Sequence, residues 1–484
     1  MTALATKTSD THELLEPLHN IVGPESVLHA RSELLVYECD GFVIEKNSPD
    51  VVVFPRNAEQ VAAIVRLCVE RGVPFLPRGA GTSLAGGCLP VGGGVMIVLT
   101  RMKEILDVNL RDRYAVVEPG VVNAWLNRRL AGTGLHYAPD PSSQGACTIG
   151  GNVATNSGGP HTLKYGVTVN HVIGLELVTA DGEIVQLGGP VANEHDLDLV
   201  GTIVGSEGTL GIVTKVWVRL TPNPQACRTM LGVFESCDDA TQAISEIIAA
   251  GIIPAALEMM DQGIVIAVEE AFHFGFPLDA GAVLLIEVDG LEAGLDEQRD
   301  SVVAICKQNS AREVRFAQDE QERLKLWKCR KQAFGAIGRL SPSYCTQDGV
   351  VPRTKLPHIL RRIMEIGAKY GVRIVNVFHA GDGNIHPILL FDERNTEETQ
   401  RVLQASGEIL EECIACGGSV TGEHGIGVEK ISFMQRLFSP DDLDVMQRMR
   451  EALNPHGLLS PGKMLPTAGA CGMEQHHPGR RAAM

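Results

Sequence analysis

The chain reads as an α+β protein of at least two domains, and three observations predict this. Strand and helix signals alternate from Val51 to Leu220. Prolines then bracket a break at Leu220-Thr221-Pro222-Asn223-Pro224. Beyond the break, helical patterns such as Asp239–Ala250 alternate with apolar runs such as Ala282–Val288, as in an antiparallel sheet covered by helices. With 484 residues the chain also exceeds what one hydrophobic core usually organises.

In chain order, Val51–Phe54 is a strand, Asn57 an N-cap, and Val61, Ile64, Val65 and Cys68 repeat at helical spacing. Val73–Leu76 is a second strand, running into Arg78-Gly79-Ala80-Gly81-Thr82-Ser83. Val95–Leu99 and Ala115–Glu118 are further strands, and Val122–Leu130 is an amphipathic helix. Leu175–Ala180 and Glu183–Leu187 predict a hairpin closed by the two-residue turn Asp181-Gly182.

A net charge of −17 argues against a nucleic-acid partner, because phosphate binding needs a basic surface. An anionic small molecule would need a local cationic site against that field. Met1–Leu15 lacks the apolar core of a signal peptide, and Ile247–Leu257 is too short to span a bilayer. The expectation is a cytoplasmic protein, with peripheral docking on the inner face of the membrane left open. The 12 cysteines are scattered, which suits reduced thiols. Cys413 and Cys416 make one C-x-x-C, too few ligands for a zinc site or a cluster, and no iron–sulfur run of cysteines exists.

Two glycine-rich loops could wrap the pyrophosphate of a dinucleotide. The first is Arg78–Ser83, where small residues let successive N–H groups face one anion and two hydroxyls add donors. The second runs Thr148-Ile149-Gly150-Gly151-Asn152 and on through Thr155-Asn156-Ser157-Gly158-Gly159. Gly205-Ser206-Glu207-Gly208 and Gly211 follow later. No G-x-G-x-x-G joins a strand to a helix, which removes the usual nicotinamide site. Gly457–Lys463 imitates a P-loop, but Met464 stands where a magnesium-binding hydroxyl belongs and Pro461 interrupts it.

The sharpest local signal is Val375-Asn376-Val377-Phe378-His379-Ala380-Gly381-Asp382-Gly383-Asn384-Ile385-His386, which predicts a hairpin. With Gly381–Asn384 as the loop, His379 and His386 stand directly opposite, with Cβ atoms about 5 Å apart on one face. Two imidazoles there suit one divalent ion. Glu423, in Thr421-Gly422-Glu423-His424-Gly425-Ile426-Gly427, offers the carboxylate of a 2-His-1-carboxylate set.

These residues resemble the FAD-linked oxidases of the vanillyl-alcohol oxidase type, and within them the group holding the FAD subunit of bacterial glycolate oxidase and the D-lactate and D-2-hydroxyglutarate dehydrogenases. The resemblance runs from Tyr37-Glu38-Cys39-Asp40-Gly41 to Pro466 and is most specific in Ala138-Pro139-Asp140-Pro141-Ser142-Ser143-Gln144, in Gly205–Gly211, in His379–His386 and in Gly422–Gly427. It implies an α+β fold with a two-part FAD-binding domain and a ferredoxin-like substrate domain carrying an antiparallel sheet. The expected division is an N-terminal segment 1–36, an FAD-binding domain 37–222, a substrate and metal domain 223–466 whose end caps the flavin, and a frayed tail 467–484.

The resemblance further implies FAD contacts from Arg78, Gly79, Ala80, Gly81, Thr82 and Ser83. Others come from Pro139, Asp140, Ser142, Ser143, Thr148, Gly150, Gly151, Asn152, Thr155, Gly158 and Gly159, and from Glu207, Gly208 and Ile212. Relatives with covalent flavin carry a histidine in the first loop; here Gly81-Thr82 stands there, so FAD is expected to be non-covalent. Arg330, in Leu326-Trp327-Lys328-Cys329-Arg330, matches the arginine that grips the substrate carboxylate. Two departures stand out. Thr346 replaces a lysine ahead of Asp348, against a longer dicarboxylate substrate, and Ser460-Pro461-Gly462-Lys463 replaces an Asn-Pro-Gly-Lys near the flavin.

The chemistry that follows is oxidation of a small (D)-2-hydroxy acid, such as glycolate or D-lactate, to the 2-oxo acid. A divalent metal (zinc, manganese or iron) on His379, His386 and Glu423 would acidify the hydroxyl, and His424 would take its proton. Arg330 would hold the carboxylate. Electrons would leave to a non-oxygen acceptor, with an iron–sulfur partner subunit and a second FAD-domain-like subunit as expected partners. A metal-free flavin oxidase of sugars or alcohols, and a non-catalytic FAD-binding subunit of an electron-transfer complex, are the alternatives.

Overall fold

A computed structural model describes residues 12–191 and 197–466. Residues 1–11 and the expected tail 467–484 lie outside this description. The described chain forms two compact units. The first holds residues up to 157, 167–222 and from 423 onward, and the second holds 158–166 and 223–422.

The first unit is built mainly on two sheets, beside a short pairing of Thr221–Pro222 with Leu135–His136. In the smaller, Val27–Leu28, Val51–Val53, Val95–Val98 and Phe75–Arg78 lie side by side, the last three parallel. The parallel pairing needs a crossover, supplied by the helix Ala58–Arg71. Asn57 caps it by accepting from the Gln60 N–H at 2.9 Å, and Gly72 closes it in the left-handed conformation at φ 63°. The strand expected at Val73–Leu76 begins two residues later, at Phe75. The Val73 N–H is spent on the Cys68 carbonyl at the helix end, and Pro74 has none to give.

The larger sheet is antiparallel, in the order Ile105–Asn109, Tyr114–Val117, Ile212–Arg219, Val172–Val178 and Ile184–Gly188. The expected hairpin at 175–187 forms, but its loop is longer than the sequence suggests. Thr179 still bonds Glu183, so Ala180, Asp181 and Gly182 make the turn, with Gly182 at φ 81°. In the described part of the N-terminal segment, Leu14, Leu18 and Val22 of the helix His12–Val22 join the core beneath Ala58–Arg71.

The second unit is an antiparallel sheet covered by helices. Its strands run Ala311–Phe316, Ala226–Phe234, Ala282–Gly290, Ala256–Asp261 and Arg373–His379, continuing to Asn384–Ile385 and Gly349–Val350. Pro387–Phe391 pairs with Arg373–His379 and with Ser343–Thr346. The helix Glu320–Ile337 is started by Asp319, which accepts from the Glu322 N–H at 2.8 Å. This mixed fold with antiparallel sheets is the class the sequence predicts.

Residues 423–466, assigned by sequence to the second domain, pack with the first unit. Leu459 pairs in parallel with Phe75, and Leu458 and Ser460 bond the Phe75 backbone on the edge of the smaller sheet. An open edge strand with unpaired N–H and C=O groups accepts such an addition. Among the described residues no helix is long and apolar enough to cross a membrane.

Candidate active site

In the first unit the two glycine loops meet. A Cβ on Gly79 would stand 2.6 Å from Thr148 Oγ1, and one on Gly150 would stand 2.5 Å from Pro119 Cβ. These positions therefore need glycine for close backbone approach. Gly81, at φ 72°, lies against the Arg78 guanidinium, where any side chain would overlap it. Arg78 is buried, donating from Nη2 to the Cys39 carbonyl at 2.9 Å and contacting Cys88 Sγ at 3.2 Å.

The loops differ in what they leave to offer. The N–H groups of Ile149, Gly150 and Gly151 are taken by the Val121 carbonyl, the Pro119 carbonyl and Thr148 Oγ1. The second loop thus contributes shape more than donors. Among the described residues, no protein group engages the N–H groups of Ala80–Ser83, and Ser83 Oγ is buried without a hydrogen bond. Asn152 is locked in place, accepting from Asn123 Nδ2 at 3.1 Å and donating to Ser157 Oγ at 3.2 Å. Asn123 in turn donates to the Pro139 carbonyl at 3.0 Å, tying the 139–143 stretch to the same helix. Thr155 shares a 2.9 Å hydrogen bond with Ser157, and Asp140 is buried.

The side chain of Glu207 is engaged by the C-terminal segment of the chain. Its buried carboxylate accepts the N–H groups of Ile426 and Gly427 at 2.6 and 2.8 Å, holding the 423–427 segment to the first unit. Burial raises its pKa, opposed by those two N–H groups and then by Lys463 and Lys430. Ile212 points into the core, and Gly208, at φ 67°, packs against Pro77. The residues that imitate a P-loop close this segment: Lys463 is 1% exposed and donates to the Gly87 carbonyl at 2.6 Å. Ser460 donates to the Gly208 carbonyl at 2.9 Å.

In the second unit the histidine hairpin forms with a shifted register. His379 pairs with Asn384, and Asn376 with Pro387, so the loop is 380–383. The two histidines are thus not directly opposite. His386 stands two positions beyond the partner of His379, a diagonal that keeps both rings on one face. The loop keeps four residues but sits one position earlier, where Gly383 takes φ 84° and Asp382 Oδ1 accepts the Asn384 N–H at 3.0 Å. The rings remain close, with centroids 5.1 Å apart and planes at 89°.

Each ring is held by its Nδ1. His379 Nδ1 lies 2.8 Å from Glu258 Oε1, its directly paired residue across the sheet, and His386 Nδ1 lies 3.3 Å from the Gln347 carbonyl. Both partners accept, so Nδ1 carries the proton and Nε2 keeps its lone pair, the state a metal ligand requires.

Arg330 comes to the same carboxylate. It is 1% exposed, and its Nη2 lies 2.6 Å from Glu258 Oε2. The contact is an ion pair and not an aligned hydrogen bond, so the Nε, Nη1 and Nη2 groups of this buried guanidinium have no hydrogen-bond acceptor among the described residues. Burial alone would raise the Glu258 pKa; Arg330 and His379 outweigh it and hold the carboxyl below its ordinary range.

Asp348 fixes the end of the second unit. Its Oδ2 accepts from Thr421 Oγ1 at 2.6 Å and from the Gly422 N–H at 2.9 Å, and its Oδ1 lies 3.8 Å from His386 Nδ1. Glu423 and His424 are the next residues along the chain, with His424 Nε2 3.7 Å from Glu423 Oε1.

The sequence singles out His379, His386 and Arg330 but gives no sign that Glu258, Gln347 and Asp348 lie against them. Glu258 carried a readable signal, a lone carboxylate inside the apolar run Ala255-Ala256-Leu257-Glu258-Met259-Met260. Gln347 acts through its backbone, for which no side-chain signal exists.

The chain is also similar to known proteins in sequence and in fold. Residues 49–188 match the FAD binding domain model, and residues 223–464 match the model for the C-terminal domain of FAD linked oxidases. The chain is 46% identical to glycolate oxidase subunit GlcD of Escherichia coli (strain K12), over 97% of this chain and 95% of that one. It is 42% identical to glycolate oxidase subunit GlcD of Bacillus subtilis, over 94% and 97%. It is 32% identical to the probable mitochondrial D-lactate dehydrogenase of Danio rerio, over 95% and 93%. In fold it is similar to p-cresol methylhydroxylase with substrate bound, with a TM-score of 0.80 at 18% identity, covering 95% of this chain and 97% of that one. With both domain models matched in order and near-full-length relatives above 40% identity, the chain belongs to the FAD-linked oxidases.

Proposed function

We propose that this protein oxidises a small 2-hydroxy acid of the glycolate or D-lactate class to the 2-oxo acid, as the catalytic flavoprotein of a larger assembly. One observation carries the reading: His379, its ring centroid 5.1 Å from that of His386, shares the Glu258 carboxylate with a buried arginine whose donors lack hydrogen-bond acceptors among the described residues. That combination suits a metal beside a carboxylate-bearing substrate. The names of the relatives at 46% and 32% identity point to the same substrate class.

The residues fit both absent groups. The open N–H groups of Ala80–Ser83, the buried Ser83 hydroxyl and the glycines at 79, 81 and 150 suit the pyrophosphate of FAD, which is held without a covalent bond in this reading. His379, His386 and Glu423 would hold a divalent metal (zinc, manganese or iron). When bound, FAD supplies the acceptor for the C2 hydride and the metal supplies a Lewis acid for the hydroxyl. Arg330 binds the substrate carboxylate through its vacant donors and so orients C2. His424 takes the hydroxyl proton as general base. The GlcD relatives are named as subunits, and this chain lacks a cysteine run for a cluster, so electrons pass to an iron–sulfur partner or another non-oxygen acceptor, alongside a second FAD-domain-like subunit.

Anaerobic mixing of the FAD-loaded protein with glycolate, D-lactate, L-lactate and an aryl alcohol tests the reading. Flavin bleaching is expected with glycolate or D-lactate. Bleaching by the aryl alcohol alone, or by no compound, would overturn it.

A further inference from the structure

Glu258 is an unusual residue to find where it stands. It is 0% exposed, in the middle of an all-buried strand, and its two oxygens serve two different residues. Oε1 receives Nδ1 of His379, the residue paired with it across the sheet, and Oε2 faces Nη2 of Arg330 from the helix Glu320–Ile337. A carboxylate in such a place costs several kcal/mol in lost hydration unless both oxygens are matched. The arrangement is therefore informative about function, since an apolar pair would fill the space at lower cost.

We infer that Glu258 is a positioning residue shared by the metal-binding and substrate-binding halves of the site: it sets the tautomer and aim of His379, and it turns Arg330 so that its remaining donors face the substrate carboxylate. The inference rests on the reading of His379 and Arg330 proposed above. On the histidine side, an acceptor at Nδ1 directs the proton there and leaves Nε2 for the ion, the usual outer support of a metal-bound imidazole. On the arginine side, the ion pair at Nη2 fixes the plane of the guanidinium, while Nε, Nη1 and Nη2 meet no hydrogen-bond acceptor among the described residues. Removing Glu258 would also remove a negative charge near the substrate. Orientation outweighs that gain, because bidentate recognition depends on two aligned donors.

The two halves separate in two variants of the full-length, FAD-loaded protein. Glu258→Gln keeps an oxygen for the His379 N–H but turns an amide N–H₂ toward the guanidinium. Glu258→Ala removes both contacts. After stripping with a chelator, divalent-metal affinity is measured by competition with a chromogenic chelator, using zinc or manganese alone, and KM and kcat are measured for glycolate and D-lactate. Expected is a 10–100-fold loss of metal affinity in Glu258→Ala. Glu258→Gln should stay within a few-fold of the parent in metal affinity yet raise KM at least about tenfold, the scale of one lost charge-assisted contact. Flavin content reports whether each variant folds. Should the alanine variant fail to fold, the Gln variant carries the test, and a parental KM there would overturn the shared role. Equal metal affinity in the parent and a folded Glu258→Ala would overturn the histidine half. A parent that binds no divalent metal would instead sink the metal reading of the site itself.

Discussion

His424 Nε2 lies 3.7 Å from Oε1 of its chain neighbour Glu423, so two consecutive side chains turn their polar ends to one side. Along an extended strand they would point apart. Gly425, at φ 89°, lets the chain turn immediately after them, and Glu207 clamps the next two N–H groups. Adjacent residues can thus do different work at one place. Glu423→Gln is expected to lower bound metal and activity together. His424→Ala should keep metal and FAD while turnover falls roughly 10²–10⁴-fold, the scale for a lost acid–base group. Elemental analysis beside anaerobic flavin-reduction rates checks both. Parental flavin reduction in His424→Ala would remove its role as base, and loss of metal from that variant would make it a ligand.

The first glycine loop yields a prediction about the flavin. Arg78–Ser83 holds no histidine, so acid precipitation should release all flavin as free FAD. Gly79→Ala would drive a methyl group against Thr148 Oγ1, separating the two loops. At least a tenfold weaker FAD affinity is expected, read from flavin retained after dialysis. Flavin left on the precipitated chain, or an alanine variant with parental retention, would contradict these two statements respectively.

Glu287 predicts how the second unit responds to pH. Its buried carboxylate accepts from Thr229 Oγ1 at 2.5 Å, Trp327 Nε1 at 2.8 Å, and Arg323 Nε and Nη2 at 2.8 and 2.9 Å. Burial would raise its pKa, but contacts from His161 and Arg323, with Thr229, hold it far below the ordinary carboxylate range. A folded pKa below the unfolded one means stability that is full above the unfolded value, about 4.3, and lost as pH falls through the folded value. Glu287→Ala should cost about 3–5 kcal/mol at pH 7, the cost of breaking a buried pair. The gap between the denaturant midpoints of parent and variant should hold from pH 8 to pH 6 and shrink below about pH 4.3. A gap independent of pH would show that packing, and not charge, is what the variant loses.

Electron transfer out of the protein gives a fourth prediction. The isolated chain should turn over slowly with oxygen and faster with artificial one- or two-electron acceptors, because its assigned acceptor is a partner. Peroxide production measured beside dye reduction decides this. Peroxide formed at the full rate of dye-coupled turnover would make the protein a self-sufficient oxidase.

Much of this molecule was legible in the residues themselves, because local chemistry leaves local marks. Asn57 before an apolar 3.6-residue repeat is a helix start wherever it occurs, and the two prolines after Leu220 mark a break in any fold. The loops at 78–83 and 148–152 and the histidines at 379 and 386 could be singled out because residue type and spacing carry their chemistry, whereas Arg330 stood out only through the family resemblance. Register and partnership were not legible in this way. Whether His379 faces His386 or Asn384 depends on a one-residue choice of loop, decided by Gly383 and Asp382. That Glu207 binds backbone at 426–427, that 423–466 packs with the first unit, and that Glu258 joins Arg330 to His379 are contacts across long stretches of chain. Local propensity says nothing of such pairs. They exist because a buried carboxylate must find matching donors, and only the folded chain determines which donors lie within reach.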